Sequence, residues 1–327
     1  MKKFLIIQTA SIGDVILATP LIERIHQSFS DAQIDFLVKK GMEGLFNQHP
    51  IIHEILVWDK SNRKYRNFRS LISGVRKNNY DMVINVQRFA ATGLLTVLSG
   101  AKTTVGFKKN PLSVLFTKRI DHKIGNNIHE VQRNLELFDA TITSVMIRPK
   151  LYPTAADMTK TSLYKTAKYY TVSPASLWFT KQFPVEKWIE FVSRIDSSSK
   201  IYFLGSTQDK KICDTIIQAS NHPGSLNLTG TLSFLESAAL MKDAKMNFTN
   251  DSAPMHLASA VNAPVTAIFC STIPSFGFGP LSDDSSVVEI EEPLYCRPCG
   301  IHGFNECPEK HFKCALMIRP EQLSSRL

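Results

Sequence analysis

The chain has 327 residues, of which 43% are hydrophobic and 20% charged, a composition that excludes a disordered protein and allows two domains. No segment approaches the ~18 consecutive apolar residues that span a bilayer, which excludes an integral helical membrane protein. The net charge is +9, and residues 1–150 carry all of the excess: 22 Lys and Arg against 12 Asp and Glu, compared with 16 against 17 in the remainder.

The first half alternates apolar strand-like segments with segments of helical spacing. Strands are predicted at 4–9, 34–38, 54–58 and 82–86, and helices at 15–29, 65–77 and 129–141. This alternation predicts βαβ units and a parallel sheet. The apolar run at 4–7 is too short for a signal peptide and is interpreted as a first buried strand, so a cytoplasmic protein is expected.

The helix at 65–77 lies in the most basic stretch of the chain, which contains Arg63, Lys64, Arg66 and Arg69. A second basic group follows between 102 and 123. A half-molecule with this charge is expected to face an anionic partner, such as phosphate, nucleic acid or a membrane surface, or else to be a merely solvated basic face.

Residues 144–160 are rich in Pro, Thr and charge and are interpreted as a linker. A second alternating series follows, with strands predicted at 169–172, 201–204, near 226, 246–249 and 265–269, and helices at 185–194, 208–219, 233–241 and 253–261. The sequence therefore predicts an α/β fold of two Rossmann-like domains, over 1–150 and 160–327. In such folds ligands bind in the cleft outside the carboxyl ends of the strands.

A glycine and a carboxylate follow the first strand at once. Gly13 lets the backbone turn tightly or approach a ligand, and Asp14 stands where the next helix begins. Asp14 alone could be a helix cap or a catalytic base. No G-x-G-x-x-G pattern follows the strand, which argues against a dinucleotide-dependent oxidoreductase.

Four segments resemble the glycosyltransferase family that contains the lipopolysaccharide heptosyltransferases (family 9). They are QTASIGDVILATPLIERI, YDMVINVQRFAATGLLTVLSGAKTTVGF with Gln87 in its usual place, HEVQRNLELF and NDSAPMHLASAVNAPVTAIF. They occur in the family's order and cover nearly the whole chain. The resemblance implies a GT-B fold, in which two Rossmann-like domains face each other across a cleft.

The resemblance also implies an activity: transfer of heptose from ADP-heptose to the lipopolysaccharide inner core, either lipid A–Kdo or a heptosylated core. Asp14 would be the base, attack would proceed by direct displacement with inversion, and no cofactor or metal would be required. The N-terminal domain would bind an anionic glycolipid acceptor, and the protein would contact the cytoplasmic face of the inner membrane peripherally. The acceptor-binding residues would include Gly13, Arg63, Lys64, Arg66 and Arg69.

The second domain would bind the nucleotide sugar. A helix N-terminus and a cationic side chain can hold a diphosphate and stabilise it as it leaves. By resemblance, the donor contacts are Ser176, Lys181, Asp251, Ser252, Ala253 and His256. The family usually has Gly where Ala253 stands, and its acidic nucleoside contact has no clear counterpart at Thr207 and Gln208. Read without the resemblance, Asp251 could equally be a helix cap and His256 a buried histidine.

Four cysteines near the end of the chain, Cys296, Cys299, Cys307 and Cys314, are spaced C-x2-C-x7-C-x6-C. Four thiols in a cytoplasmic protein favour a structural metal over disulfides, although the spacing is not the usual pair of C-x-x-C motifs. Zinc, or reduced thiols in a compact loop over the donor site, are both left open.

Two other functions are compatible with parts of the sequence. One is a related glycosyltransferase that uses another nucleotide sugar. The other is a non-catalytic nucleic-acid-binding protein, which the basic half alone would allow. The chain lacks a basic motif interleaved with aromatic residues, and nucleic-acid binding would give Asp14, Lys181 and His256 no role. No nucleic-acid partner is therefore expected.

Overall fold

The structure is a computed structural model that describes residues 1–61, 64–139 and 147–327. The chain divides into two compact units, Met1–Tyr152 and Pro153–Leu327. Each unit contains a six-stranded sheet whose neighbouring strands are all parallel. The predicted fold class, α/β with two Rossmann-like domains, is therefore confirmed.

The strands of the first unit are β1 Lys3–Ile7, β2 Gln33–Lys39, β3 Glu54–Trp58, β4 Met82–Asn85, β5 Thr103–Phe107 and β6 Lys118–Ile120. Their order in the sheet is 3-2-1-4-5-6, the order of a Rossmann domain. The direction of the crossovers reverses between β1 and β4, and ligands of such sheets bind outside the carboxyl ends of the strands at this switch point. Leu5, Ile6 and Ile7 of β1 are completely buried, as expected for a central parallel strand.

The helices of this unit are α1 Ile12–Leu17, α2 Thr19–Ser28, α3 Lys64–Lys77, α4 Ala90–Leu98 and α5 Glu130–Glu136. The single helix predicted at 15–29 is wrong, because α1 and α2 are separate. Pro20 lies in the first turn of α2 and has no N–H to bond to Ile16 of the preceding turn. The Thr19 hydroxyl donates to the Ile16 carbonyl instead, over 2.8 Å.

The strands of the second unit are β7 Tyr169–Ser173, β8 Lys200–Phe203, β9 Ser225–Asn227, β10 Met246–Asn250, β11 Val265–Phe269 and β12 Ser285–Glu289. Their order, β12-β11-β10-β7-β8-β9, repeats that of the first sheet, so β7 and β10 flank the switch point. The helices are α6 Ala155–Thr161, α7 Val185–Ser193, α8 Lys210–Ser220, α9 Phe234–Lys242, α10 Ala253–Ala260, α11 Lys313–Leu316 and α12 Glu321–Ser324. Trp188, Phe191 and Phe248 are fully buried in the core between α7 and the sheet.

Helix α6 occupies part of the linker predicted over 144–160, so that prediction was wrong for residues 155–160; residues 144–146 lie outside the described part of the chain. The helix begins with a capping box. The Asp157 carboxylate accepts from Thr154 N at 2.7 Å, and Asp157 N donates to the Thr154 hydroxyl at 3.2 Å. Among the described residues, no helix is both long and apolar enough to cross a membrane.

Candidate active site

Asp14 lies at the carboxyl end of the first sheet, in the first turn of α1. Its Oδ2 accepts hydrogen bonds from the Ser11 hydroxyl at 2.5 Å and from Ser11 N at 3.2 Å, which forms a capping box with Ser11 as the N-cap. The other carboxylate oxygen accepts no hydrogen bond from a described residue, and the side chain is half-buried. Asp14 is thus fixed in place with one oxygen available to a ligand. Gly13 precedes it, buried in the same helical turn.

The side chains of Gln8 and Gln87 join the ends of β1 and β4. Gln87 Nε2 donates to Gln8 Oε1, and both residues are buried. Asn110 donates to the Gln87 carbonyl at 2.9 Å and holds the chain after β4 in place. Two neighbouring strand ends are therefore cross-linked at the switch point, where the Rossmann order favours a ligand.

Two cations of the first unit were not assigned to a site from the sequence, and one of them, Lys109, interacts electrostatically with Asp14. Lys109 follows β5, and its ammonium lies 5.0 Å from the centroid of the Phe107 ring. Partial desolvation lowers the pKa of Lys109 to about 8; Glu130 and Asp14 oppose this shift, whereas Arg88 reinforces it. Neither Lys109 nor Arg88 forms an ion pair with a described residue. The surroundings of Asp14 can therefore hold an anionic group.

The residues assigned to the acceptor from the basic helix are only partly described. Arg66 and Arg69 lie on α3 with exposed side chains and form no ion pair with a described residue. Arg63 lies outside the described residues, and only the backbone of Lys64 is described. The acceptor-binding roles of these residues and of Gly13 stay predictions.

The clearest polar cluster of the second unit lies at its switch point. Asp251 follows β10 directly, and Lys181 lies in the 3₁₀ turn Phe179–Lys181 in the connection after β7. Lys181 Nζ is 2.6 Å from Asp251 Oδ2, and the Thr272 hydroxyl donates to the same oxygen at 2.6 Å. The two charged side chains are only 15% and 6% exposed. The sequence predicted both residues as donor contacts, and the structure brings them together.

Helix α10 begins beside this pair. Ser252 is its N-cap and has extended backbone, but its hydroxyl does not cap the helix; it lies 3.4 Å from the Asn250 carbonyl. The first N–H groups of a helix have no partner within the helix and carry partial positive charge, which suits a phosphate. Ala253 and Pro254 form the first turn, so the approach is lined by small side chains.

The two remaining predicted donor contacts are near the same strand ends. His256 is buried in α10, and Ser176 is half-buried after β7, where its carbonyl accepts from Gln182 at 2.7 Å. Roles for both in donor binding stay predictions.

The structure also reveals an acidic residue that the sequence analysis did not assign. Asp209 lies one residue beyond Gln208, and its Oδ2 accepts from Ser206 N at 2.7 Å and from the Ser206 hydroxyl at 2.8 Å. A β-carbon at Gly205 would approach this oxygen to 2.8 Å. Asp209 therefore caps the 3₁₀ turn Thr207–Asp209 that precedes α8, and it lies where the sequence analysis looked for a nucleoside contact.

The cysteine-bearing segment, residues 292–312, contains no helix or strand. Hydrogen bonds join it to the connections that follow β11 and β7. Cys299 N donates to the Ser271 carbonyl at 2.8 Å, and Phe304 N donates to the Thr180 hydroxyl at 2.8 Å. Thr180 directly precedes Lys181. The segment therefore lies beside Lys181, a predicted donor contact, and the two alternatives for its cysteines stay open.

All the cysteines are free thiols. Burial raises the pKa of Cys314 to about 12, and the neighbouring Cys299, Cys307 and Cys296 add to the shift. Among the described residues, only Asp35, His53 and Glu54 bring three metal-binding side-chain atoms within 4.8 Å of one another. Zinc binding by the four cysteines stays an open prediction.

Known proteins resemble this chain in sequence and in fold. The sequence pattern of glycosyltransferase family 9 (heptosyltransferase) matches residues 68–303. Lipopolysaccharide heptosyltransferase 3 of Escherichia coli is 25% identical over 80% of this chain and 81% of its own length. The structure of E. coli ADP-heptose LPS heptosyltransferase II superposes with a TM-score of 0.83 at 18% identity, covering 100% of this chain and 97% of that one.

A second solved structure is E. coli heptosyltransferase WaaC with ADP-2-deoxy-2-fluoro heptose. It has a TM-score of 0.74 at 17% identity and covers 99% of this chain and 98% of its own. The likeness extends over both Rossmann-like domains and confirms the GT-B fold class that the sequence predicted.

Proposed function

The chain belongs to glycosyltransferase family 9, the heptosyltransferases, and we propose that it transfers heptose from ADP-heptose to the inner core of a lipopolysaccharide. Its relatives act in lipopolysaccharide synthesis, and solved neighbours are named for ADP-heptose or bound to an analogue of it. The proposed acceptor is an anionic glycolipid, lipid A–Kdo or a heptosylated core. The proposed place of action is the cytoplasmic face of the inner membrane.

The observation that carries this proposal is the Lys181–Asp251 pair beside the N-terminus of α10. An ammonium 2.6 Å from a carboxylate and a helix N-terminus together offer positive potential for a diphosphate and an oxygen for sugar hydroxyls. Both groups lie outside the carboxyl ends of β7 and β10, at the switch point where open α/β sheets bind nucleotides.

These groups suit the departure of a nucleoside diphosphate. Charge grows on the bridging oxygen as the bond between the anomeric carbon and the diphosphate breaks. Lys181 and the N–H groups at Ser252 and Ala253 would stabilise that charge more strongly in the transition state than in the bound donor. Interactions of this kind raise the rate and not only the affinity.

Asp14 is proposed as the base. Ser11 holds Oδ2, so the other oxygen can take the proton of an acceptor hydroxyl while that hydroxyl attacks the anomeric carbon. The new glycosidic bond forms as the bond to the diphosphate breaks, and the configuration inverts. The proton remains on Asp14 until it passes to solvent.

The first unit is proposed to bind the acceptor. Its excess positive charge includes the exposed Arg66 and Arg69 of α3, together with Arg63 and Lys64. Lys109 offers further positive charge near Asp14, and Arg88 interacts electrostatically with Lys109. A phosphorylated or carboxylated glycolipid would be attracted by both groups, and the same charge would favour contact with an anionic membrane surface.

Calorimetric titration of the protein tests the nucleotide part of the proposal. We expect ADP to bind with higher affinity than UDP or GDP, and ADP-heptose to bind at the same site in competition with ADP. A random oligonucleotide of equal phosphate concentration is the control for the rival nucleic-acid function. Tight oligonucleotide binding with no ADP binding would contradict the proposal.

A further inference from the structure

Gly303 lies at an unusual place in the cysteine-bearing segment. It is buried although both of its sequence neighbours are exposed, and its backbone has φ +77, in the left-handed region. A β-carbon at this position would lie 2.8 Å from the Thr180 hydroxyl, 3.1 Å from Cγ of Lys181 and 3.3 Å from the Ser271 hydroxyl. The absence of a side chain at residue 303 therefore leaves room for the stem of Lys181.

Hydrogen bonds of the next residue, Phe304, hold the cysteine-bearing segment close to Thr180 and Lys181. Phe304 N donates to the Thr180 hydroxyl at 2.8 Å, and Thr180 N donates back to the Phe304 carbonyl at 3.1 Å. The Ser271 hydroxyl at the end of β11 donates to the same Thr180 oxygen at 3.0 Å. Thr180 is buried, so loss of its hydroxyl would leave buried donors without an acceptor.

A second attachment lies earlier in the segment. The Arg297 guanidinium donates to the Cys270 carbonyl at 2.8 Å and to the Thr272 carbonyl at 2.7 Å. Thr272 in turn donates to Asp251, the partner of Lys181. The cysteine-bearing segment is thus connected both to the stem of Lys181 and, through Thr272, to the carboxylate that pairs with its ammonium.

We propose that Gly303 is a positioning residue of the donor site, and that the cysteine-bearing segment sets the direction in which Lys181 presents its ammonium to the donor diphosphate. The stem of the lysine lies between Gly303 at Cγ and Asp251 at Nζ. A side chain at 303 would displace Cγ and move the ammonium away from the phosphate position. This inference rests on the proposed function, because it takes the nucleoside diphosphate as the ligand of Lys181.

The test compares Gly303→Ala with Gly300→Ala. Gly300 lies in the same segment at φ +69, but a β-carbon there meets no atom within 4 Å. Both variants impose the same kind of backbone strain, and Gly303→Ala adds close contacts, so it should lower the melting temperature more than Gly300→Ala does. ADP affinity is therefore compared at a temperature at which both variants are folded. Only Gly303→Ala should weaken ADP binding, by about tenfold, which corresponds to ~1.4 kcal/mol. Equal ADP affinities in the two variants would overturn the inference.

A double-mutant cycle separates positioning from general damage. In a Lys181→Ala background there is no Cγ to displace, so Gly303→Ala should change ADP affinity no further. If it weakens ADP binding equally in both backgrounds, the glycine does not act through the lysine. If Lys181→Ala alone leaves the ADP affinity unchanged, the proposed function is overturned as well. If Lys181→Ala weakens ADP binding but Gly303→Ala does not, only this inference is overturned.

Thr180 supplies a second route if Gly303→Ala does not fold. Thr180→Val removes the hydroxyl that accepts from Phe304 N and is expected to weaken ADP binding. Thr180→Ser keeps the hydroxyl and should bind ADP as the unmodified protein does. ADP affinity equal to that of the unmodified protein in a folded Thr180→Val variant would count against the proposal.

Discussion

Lys181 and Asp251 form an ion pair of 2.6 Å at the switch point of the second sheet, and the Thr272 hydroxyl donates to the same carboxylate oxygen. The ammonium is therefore already oriented before a donor binds. A diphosphate bound by Lys181, as proposed, would share the lysine with a carboxylate that repels it. Mutation of Lys181 and mutation of Asp251 should consequently change the affinity for ADP in opposite directions.

Lys181→Ala should weaken ADP binding about tenfold or more, because a charge-assisted phosphate contact is lost and Asp251 is left without its partner. Asp251→Asn should bind ADP at least as tightly as the unmodified protein, because the competing negative charge is gone. The turnover of both variants should fall. Calorimetry measures the ADP affinity of each variant, and a transfer assay measures its turnover. Equal losses of ADP affinity in the two variants would contradict competition between Asp251 and the diphosphate for Lys181.

Asp14→Asn should lower turnover by ~10²–10⁴, the usual contribution of a general base, with little change in donor affinity. The amide oxygen can still accept from Ser11, so the helix cap should persist. Ser11→Ala is the matched control. It should lower stability by ~0.5–2 kcal/mol through loss of the N-cap. Because Ser11 N still donates to Asp14, its turnover should fall much less than that of Asp14→Asn. Full activity in Asp14→Asn would exclude Asp14 as the base.

Lys109 should make acceptor binding depend on pH. Its pKa is lowered to about 8, so the side chain is charged below pH 8 and loses its charge as the pH rises through that value. If Lys109 contacts an anionic acceptor, the KM for the acceptor should increase between pH 7 and 9. Lys109→Arg stays charged throughout and should remove this increase. A pH dependence that is identical in Lys109→Arg would assign it to another group.

The basic residues around the start of α3 should govern the dependence of acceptor binding on salt. Neutralising Arg63, Lys64, Arg66 and Arg69 together should raise the acceptor KM, lower its sensitivity to ionic strength and reduce association with anionic vesicles, since exposed charges are screened beyond ~8 Å at physiological salt. The donor KM should hardly change. Neutralising the exposed Lys242 and Lys245 of the second unit is the control. If the acceptor KM does not change, the charges around α3 are merely solvated and do not bind the acceptor.

The thiols should differ in their reactivity. Burial raises the pKa of Cys213 and Cys314 to about 12, so both are protonated thiols at pH 8, and the thiolate is the reactive form. Iodoacetamide at that pH should therefore modify the half-buried Cys296 and Cys307 first, as mass spectrometry of digests would reveal. Rapid modification of Cys314 would contradict this order, whereas one metal atom per chain by elemental analysis would indicate a metal site.

The sequence predicted the central strands well, because the runs at residues 4–7 and 265–269 are largely apolar and are flanked by polar or turn-forming residues. It missed elements whose residues form no such run. Strand β12, with two serines before its valines, is one case. Helix α6 is another, because its capping box lies within a stretch that resembles a linker by composition.

Candidate site residues were predictable one at a time, from their position after a strand and from the family resemblance. Their relationships were not. The pairing of Lys181 with Asp251 depends on β7 and β10 being neighbours in the sheet, which no local pattern specifies. The contact between Gly303 and the Lys181 stem depends on a segment without regular structure, for which periodicity gives no signal.

Heptose transfer itself tests the central claim most directly. The purified protein would be incubated with ADP-heptose and lipid A–Kdo or its heptosylated form, and the product followed by mass spectrometry, with Asp14→Asn as the inactive control. We expect a mass increase of one heptose residue on the acceptor, release of one ADP per transfer and inversion at the anomeric carbon. Transfer from a different nucleotide sugar, with none from ADP-heptose, would contradict it.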